Sequence, residues 1–124
     1  MKFMLDSNIV IAVALAAGEP VRQRMAEHEE GDFVVSSISF AEIVHGSMKG
    51  KPPPIEQLET LIEEVPVLAF DERAARAYAT IPFKRASYDR LIAAHALSLG
   101  LTVVTNNEAD FADVPGLKVE NWTV

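Results

Sequence analysis

Short apolar runs alternate with helical segments along this chain, and this alternation restricts the fold more than any other feature. The run 101–105 is largely apolar and β-branched, as expected of a strand buried on both faces. Such alternation predicts right-handed crossovers and an α/β fold with a mostly parallel central sheet flanked by helices. We expect strands at 2–5, 33–35, 65–70, 101–105 and 117–122, and helices at 9–17, 19–30, 40–48, 55–64, 71–80 and 88–99.

The 124 residues fit a single domain, 1–124, without linkers or repeats. Pro66 places the third strand at an edge of the sheet, or starts it after the proline. There is no cysteine, which excludes disulfides and thiolate zinc sites. The acid at Asp6 comes too early for a signal peptide, and no apolar stretch could span a bilayer. We therefore expect a cytoplasmic protein that makes no membrane contact.

Four acids are predicted to meet at one edge of the sheet. Asp6 directly follows the first strand, and Glu42 lies in the first turn or so of a heavily buried helix after the second. Asp89 lies in the first turn of the helix that Ser87 caps, and Asp110 lies just beyond the run 101–105. In parallel sheets, ligands bind beyond the carboxyl ends of the strands, where the loops after these strands converge.

Each acid has an ordinary explanation when taken alone. Helix N-termini favour carboxylates, Asp89 has Arg85 and Arg90 for ion pairs, and Asp110 suits a loop. Together, however, converging carboxylates repel one another and raise their own pKa values. A hard cation such as Mg²⁺, which takes oxygen ligands, would remove that penalty and could act on a phosphodiester.

The charge balance argues against a general nucleic-acid binder. With 11 basic and 18 acidic residues, the formal net charge is −7. If cations neutralised the four acids, 11 basic residues would face 14 acidic ones, which leaves −3. Arg85 and Arg90 flank Asp89 and are the basic residues best placed to contact an RNA phosphate. Alternatively, Arg90 forms an ion pair with a carboxylate. Tyr88 and Phe83 could stack on an RNA base or pack in the core.

Several motifs occur in the order found in one family. They are LDSNI at 5–9, SFAEI at 39–43, DRLIAAHA at 89–96, VTNN at 104–107 and VPGLKVENW at 114–122. Any one of them is weak, but the ordered set is specific and covers essentially the whole chain. The chain resembles the VapC toxins of the PIN-domain superfamily.

The resemblance implies a metal-dependent endoribonuclease that cuts structured RNA, often tRNA or ribosomal RNA. It implies that Mg²⁺ or Mn²⁺ is bound by Asp6, Glu42 and Asp89, with Asp110 at the more variable fourth position. Supporting roles would fall to Ser7 close to the metal, to Asn8 as a brace, and to Asn107 beside the metal's water or the RNA.

The same resemblance implies a partner. A cognate VapB-type antitoxin would block the active site and tether the pair to operator DNA, and the chain would form homodimers. The connector 80–87 is shorter than in many relatives, which leaves substrate choice and antitoxin fit open.

Three other functions remain as alternatives. A receiver domain needs a second acid beside Asp6 and a lysine after a late strand, and the chain has neither arrangement. A phosphatase with Asp6 as nucleophile usually carries a second Asp where Asn8 stands. A catalytically inactive PIN-like module that only binds RNA or a partner is the closest competitor, and the four intact acids argue against it. His45 and His95 are interpreted as core or interface residues and not as ligands.

Overall fold

A fully parallel, five-stranded sheet forms the centre of the protein. The computed structural model describes residues 1–85 and 87–124. The strands are β1 Phe3–Leu5, β2 Phe33–Ser36, β3 Val67–Leu68, β4 Thr102–Val104 and β5 Val119–Glu120. The α-helices are α1 Ser7–Ala14, α2 Glu19–Ala26, α3 Ser37–Met48, α4 Ile55–Glu64, α5 Glu72–Tyr78 and α6 Tyr88–Leu99, with 3₁₀ helices at Glu30–Asp32 and Glu108–Asp110. The α/β fold expected from the alternation is confirmed.

The strand order is β3-β2-β1-β4-β5, which puts β1 at the centre between β2 and β4. The register between β1 and β4 pairs Leu5 with Val104, so both strands end at the same level. The chain builds outward from β1 to β3, then returns to place β4 on the other side of β1. This reversal is the position where open parallel sheets bind ligands. At the edge, β3 begins after Pro66, as the proline predicts.

Two hydrophobic layers cover the two faces of the sheet. Alternate residues of a strand point to opposite faces, so Leu5 packs with α1, α3 and α4 while Met4 packs with α6. Both side chains are fully buried. Burial on both faces is why the central strands carry nearly continuous apolar runs. No helix in the described part of the chain is long and apolar enough to cross a bilayer.

Helix α3 differs from the expectation in its start and in its burial. It begins at Ser37, three residues early, because the Ser36 hydroxyl accepts a hydrogen bond from the Ile38 N–H at 3.1 Å and caps the helix. Glu42 therefore lies in the second turn, not the first. Only Ser39 and Ile43 of α3 are buried, so the predicted heavy burial is wrong. Asp71 caps α5, and the predicted cap of α6 by Ser87 is confirmed.

An aromatic cluster closes the layer that contains α1 and α2. Helix α2 ends at Ala26, four residues before the expected end, and His28 then stacks on the Trp122 indole. The two ring centroids lie 5.5 Å apart with their planes 1° apart. Phe3 and Phe33 pack edge-on against the same indole, which is fully buried.

Candidate active site

Asp6 is the most firmly held of the four acids. It follows β1, is 5% exposed and caps α1. The Thr105 hydroxyl donates to its Oδ2 at 2.8 Å, and the Ser7 N–H donates to its Oδ1 at 2.8 Å. Burial raises the pKa of Asp6, these two hydrogen bonds lower it, and the charge of Asp110 raises it. Both carboxylate oxygens are thus oriented before any ligand arrives.

Thr105 is a site residue that the sequence reasoning missed. It lies directly after β4, is fully buried, and touches Asp6 across the central strand pair. Its hydroxyl also accepts a hydrogen bond from the Asn107 N–H at 3.0 Å. The only sequence signal was a hydroxyl at the end of an otherwise apolar run, which reads equally well as a β-branched strand residue.

Glu42 reaches the site from the second turn of α3. The Ser7 hydroxyl donates to Glu42 Oε1 at 2.9 Å, so Ser7 lies between two of the acids. Partial burial raises the pKa of Glu42, the Ser7 hydrogen bond lowers it, and the charge of Asp6 raises it. A helix N-terminus therefore does not explain this acid, because that effect fades beyond the first turn.

Asp89 experiences the other three acids at once. Its pKa is raised to about 7, first by partial burial and then by the charge of Asp6. A hydrogen bond from the protonated carboxyl to Asp110, and the charges of Asp110 and Glu42, raise it further. All four acids therefore lie near enough for their charges to influence one another at the edge of the sheet where the sequence reasoning placed them.

Asp110 is partly exposed and is the last residue of the 3₁₀ helix Glu108–Asp110. The Asn107 side-chain amide donates to its Oδ2, and Lys84 Nζ lies 4.0 Å from its Oδ1. Asn107 therefore contacts an acid of the site. Asn8 is exposed, and its amide makes only a long 3.5 Å contact with Asn106 Oδ1.

Arg90 does not face the site. It is 3% exposed, and its Nη2 lies 2.7 Å from both carboxylate oxygens of Asp113. Arg90 therefore forms an ion pair with a carboxylate, as the alternative interpretation of the sequence expected. Its interpretation as a phosphate contact is wrong. The pair joins α6, which carries Asp89, to the segment that follows Asp110.

The two histidines differ. His95 is buried, and its Nδ1 lies 2.8 Å from the Ser36 hydroxyl, so its interpretation as a satisfied core histidine is confirmed. His45 is exposed on α3.

Two adjoining cavities open beside the acids. One has a volume of about 300 Å³ and is lined by Glu42, Lys84, Arg85, Ser87, Tyr88, Asp89 and Asp110. The other has a volume of about 440 Å³ and is lined by Ile38, Ala41, Glu42, His45 and Tyr88. The connector 80–87 borders the first, but its Ala86 lies outside the described residues. Within 1–85 and 87–124, no three Asp, Glu or His side chains converge closely enough to enclose a metal ion.

Known proteins resemble this chain in both sequence and fold. The family model for the PIN domain matches residues 3–117. The tRNA(fMet)-specific endonuclease VapC of Shigella flexneri is 33% identical over 132 residues, which cover 99% of each chain. Ribonuclease VapC2 of Haemophilus influenzae is 33% identical over 98% of each chain.

Two solved structures extend the comparison. DNA-bound VapBC from Salmonella typhimurium has a TM-score of 0.83 at 34% identity, covering 98% of each chain. VapBC2 from Rickettsia felis, bound to a promoter DNA fragment, has a TM-score of 0.86 at 25% identity, covering 98% of this chain and 99% of that one. The chain therefore belongs to the PIN domain family and, within it, to the VapC ribonucleases.

Proposed function

We propose that this endoribonuclease is the toxin of a toxin–antitoxin pair and hydrolyses structured RNA with Mg²⁺, or Mn²⁺, bound by its four acids. The observation that carries the proposal is the placement of the acids: Glu42, Asp89 and Asp110 line one cavity, and Ser7 hydrogen-bonds both Asp6 and Glu42. The charges of the other three acids help to raise the pKa of Asp89 to about 7. Neighbouring carboxylates repel one another when ionised, and a divalent cation bound between them removes that repulsion. An inert surface would gain nothing from such an arrangement.

The donor set fits Mg²⁺. Asp6, Glu42, Asp89 and Asp110 offer carboxylate oxygens, and the chain has no cysteine that would favour a softer metal. The side chains do not form a closed cage, and Mg²⁺ does not require one, because it keeps several waters and typically uses one or two carboxylates. When bound, the cation would supply Lewis-acid stabilisation of the charge that develops on the phosphodiester.

The chain's own residues orient the acids and attract the substrate. Thr105 and Ser7 fix the carboxylates of Asp6 and Glu42 through hydrogen bonds of 2.8–2.9 Å. Lys84 and Arg85 line the same cavity and offer positive charge to an RNA phosphate. In the reaction, a water oxygen bonds to phosphorus, and the bond to the leaving ribose oxygen breaks.

The comparisons indicate the substrate class and the partner. Two relatives at 33% and 34% identity are named tRNA(fMet)-specific endonucleases, which makes initiator tRNA the first candidate substrate. Solved neighbours are complexes of a toxin with an antitoxin, some of them on DNA. We therefore propose a VapB-type antitoxin as partner, operator DNA bound only through it, and a homodimeric toxin.

The test is cleavage of initiator tRNA and total RNA by protein freed of antitoxin, with Mg²⁺, Mn²⁺ or EDTA, followed by mapping of new RNA ends. We expect a few discrete cuts that vanish with EDTA and with Asp6→Asn. Glu59→Gln, an equal change at an exposed position on α4, is the matched control and should cut like the wild type.

Two results would overturn the proposal. Cuts that persist in EDTA or in Asp6→Asn would remove the acids from the chemistry. RNA binding without any cuts, from folded protein under both cations, would favour the catalytically inactive binding module.

A further inference from the structure

We propose that the 440 Å³ cavity beside the acids is a base-binding subsite that holds one unpaired nucleobase stacked on Tyr88, next to the phosphate that is cut. The proposal rests on the function proposed above and names the form in which RNA is bound. An unpaired base can leave the RNA stack and enter a cavity, whereas a base inside a duplex cannot.

The two cavities share a wall. Glu42 and Tyr88 line both of them, so each cavity begins where the other ends. The smaller one contains Asp89 and Asp110 and is where a phosphate would lie. A nucleotide whose phosphate lies there can place its own base, or a neighbouring base, across Tyr88 in the larger cavity.

The lining of the larger cavity suits a flat ring. Tyr88 is the first residue of α6 and is 59% exposed, so its ring is accessible to a ligand in the cavity. Ile38 and Ala41 add apolar contact, and His45 adds a second ring. Stacking of a base on an aromatic side chain is worth ~1–3 kcal/mol and tolerates any base.

Charge favours RNA over an apolar protein segment as the occupant. The chain is acidic, with a net charge of −7, yet Lys84 and Arg85 lie together in the adjoining cavity. Lys84 is 4.0 Å from Asp110 and 55% exposed, so it remains accessible to a phosphate. With the acids of that cavity neutralised by the proposed cation, Tyr88 beside Lys84 and Arg85 combines an aromatic platform with positive charge, which is the arrangement that binds single-stranded nucleic acid.

The experiment combines a protein change with a base deletion. Initiator tRNA is prepared with a single abasic nucleotide at each position flanking the mapped cut. Wild type, Tyr88→Leu and Tyr88→Phe are compared for KM and kcat with Mg²⁺. RNA affinity is measured separately by anisotropy in the Asp6→Asn background, which needs no cleavage. Met48→Leu is the control, because Met48 is 75% exposed at the end of α3 and lines neither cavity.

We expect Tyr88→Leu to raise KM and the RNA Kd about 10-fold to 100-fold, with kcat changed less than about threefold. Tyr88→Phe keeps the ring and should restore most of that affinity. At one flanking position, the abasic nucleotide should raise the RNA Kd of the wild type by a similar factor. The same abasic nucleotide should raise the Kd of Tyr88→Leu by less than about twofold, because the protein change and the base deletion remove the same contact.

Three results would refute the subsite. Additive effects of the two changes at every position would show that ring and base do not meet. An unchanged RNA Kd in Tyr88→Leu would also show that the ring does not contact a base. If Tyr88→Leu weakened only antitoxin binding, the cavity would be a docking site for protein. The wild-type protein with abasic RNA tests the contact even if a variant misfolds. Failure of the proposed chemistry would instead appear as cleavage by Asp6→Asn, whatever the binding data show.

Discussion

Replacing Thr105 by valine removes one hydroxyl from the centre of the site and leaves the shape of the side chain almost unchanged. The Thr105 hydroxyl is fully buried, donates to Asp6 at 2.8 Å and accepts from the Asn107 N–H at 3.0 Å. A hydrogen bond to a charged group is worth about 1.5–3 kcal/mol, and a neutral one about 0.5–1.5 kcal/mol. We expect Thr105→Val to lower the free energy of unfolding by about 2–4 kcal/mol at pH 8 in EDTA.

This loss should depend on pH. The Thr105 hydrogen bond lowers the pKa of Asp6 against the larger effect of burial, so its removal raises that pKa further. The bond is strongest when Asp6 is ionised. The loss should therefore be full above the folded-state pKa of Asp6 and should shrink as pH falls through it, because a protonated Asp6 depends less on the donor. The Asn107 contribution should persist at both ends of the range.

Urea denaturation followed by circular dichroism at pH 8 and at pH 3.5, which lies below the usual pKa of 3.8, measures both quantities. Thr102→Val is the matched control, since Thr102 lies at the other end of β4 and is only half-buried; it should change stability by less than about 0.5 kcal/mol. If Thr105→Val costs no more than this control at pH 8, the hydroxyl does not support Asp6. If the cost is equal at both pH values, the effect is one of packing and not of charge.

Three further predictions concern charge in and around the site. Asp89→Asn should abolish RNA cleavage yet raise the free energy of unfolding in EDTA at pH 8 by about 1–2 kcal/mol, because it removes one of four repelling charges; a lower value would contradict the repulsion. Without metal, the contribution of Asp89 to stability should fall as pH rises from 3.8 to about 7, since the native state keeps a proton on Asp89 that the unfolded state has lost; the wild type should therefore lose stability relative to Asp89→Asn over this range. The rise in Tm on adding Mg²⁺ should be larger at pH 8 than at pH 6. Asp113→Asn should lower the urea midpoint more than Arg90→Met does, because Asp113→Asn leaves the buried Arg90 cation without its carboxylate partner. If Arg90→Met had the larger effect, Arg90 would be hydrated and would not need Asp113.

The sequence predicted most of the fold because local rules and tertiary packing agree there. A strand buried on both faces must be apolar, and a proline cannot donate to a central ladder, so β4 and the edge strand β3 could be read directly. The helix caps Asp71 and Ser87 follow from the preference of capped helices for short oxygen side chains. The start of α3 could not be chosen from the sequence, because Ser36, Ser37 and Ser39 all offer a hydroxyl that can cap a helix, and only the folded structure shows that Ser36 is used.

The candidate site was predicted in part for a similar reason. Each of the four acids follows a strand or lies in the first two turns of a helix after one of the strands, so topology alone brings them to one edge. Thr105 was missed because its hydroxyl acts across the sheet, 99 residues from Asp6. The pairing of Arg90 with Asp113, 23 residues away, also has no local signal. Whether Tyr88 packs or stays exposed depends on a neighbouring helix, which the sequence does not position.

The aromatic cluster provides a built-in optical probe. Trp122 is the only tryptophan, is fully buried and stacks on His28, so its emission should be blue-shifted when native and should change sharply on unfolding. It contacts Phe3 and Phe33, the first residues of β1 and β2, whereas Asp6 follows the end of β1. Without any label, intrinsic fluorescence should therefore distinguish substitutions that disrupt the core from those that abolish nuclease activity and leave the fold intact.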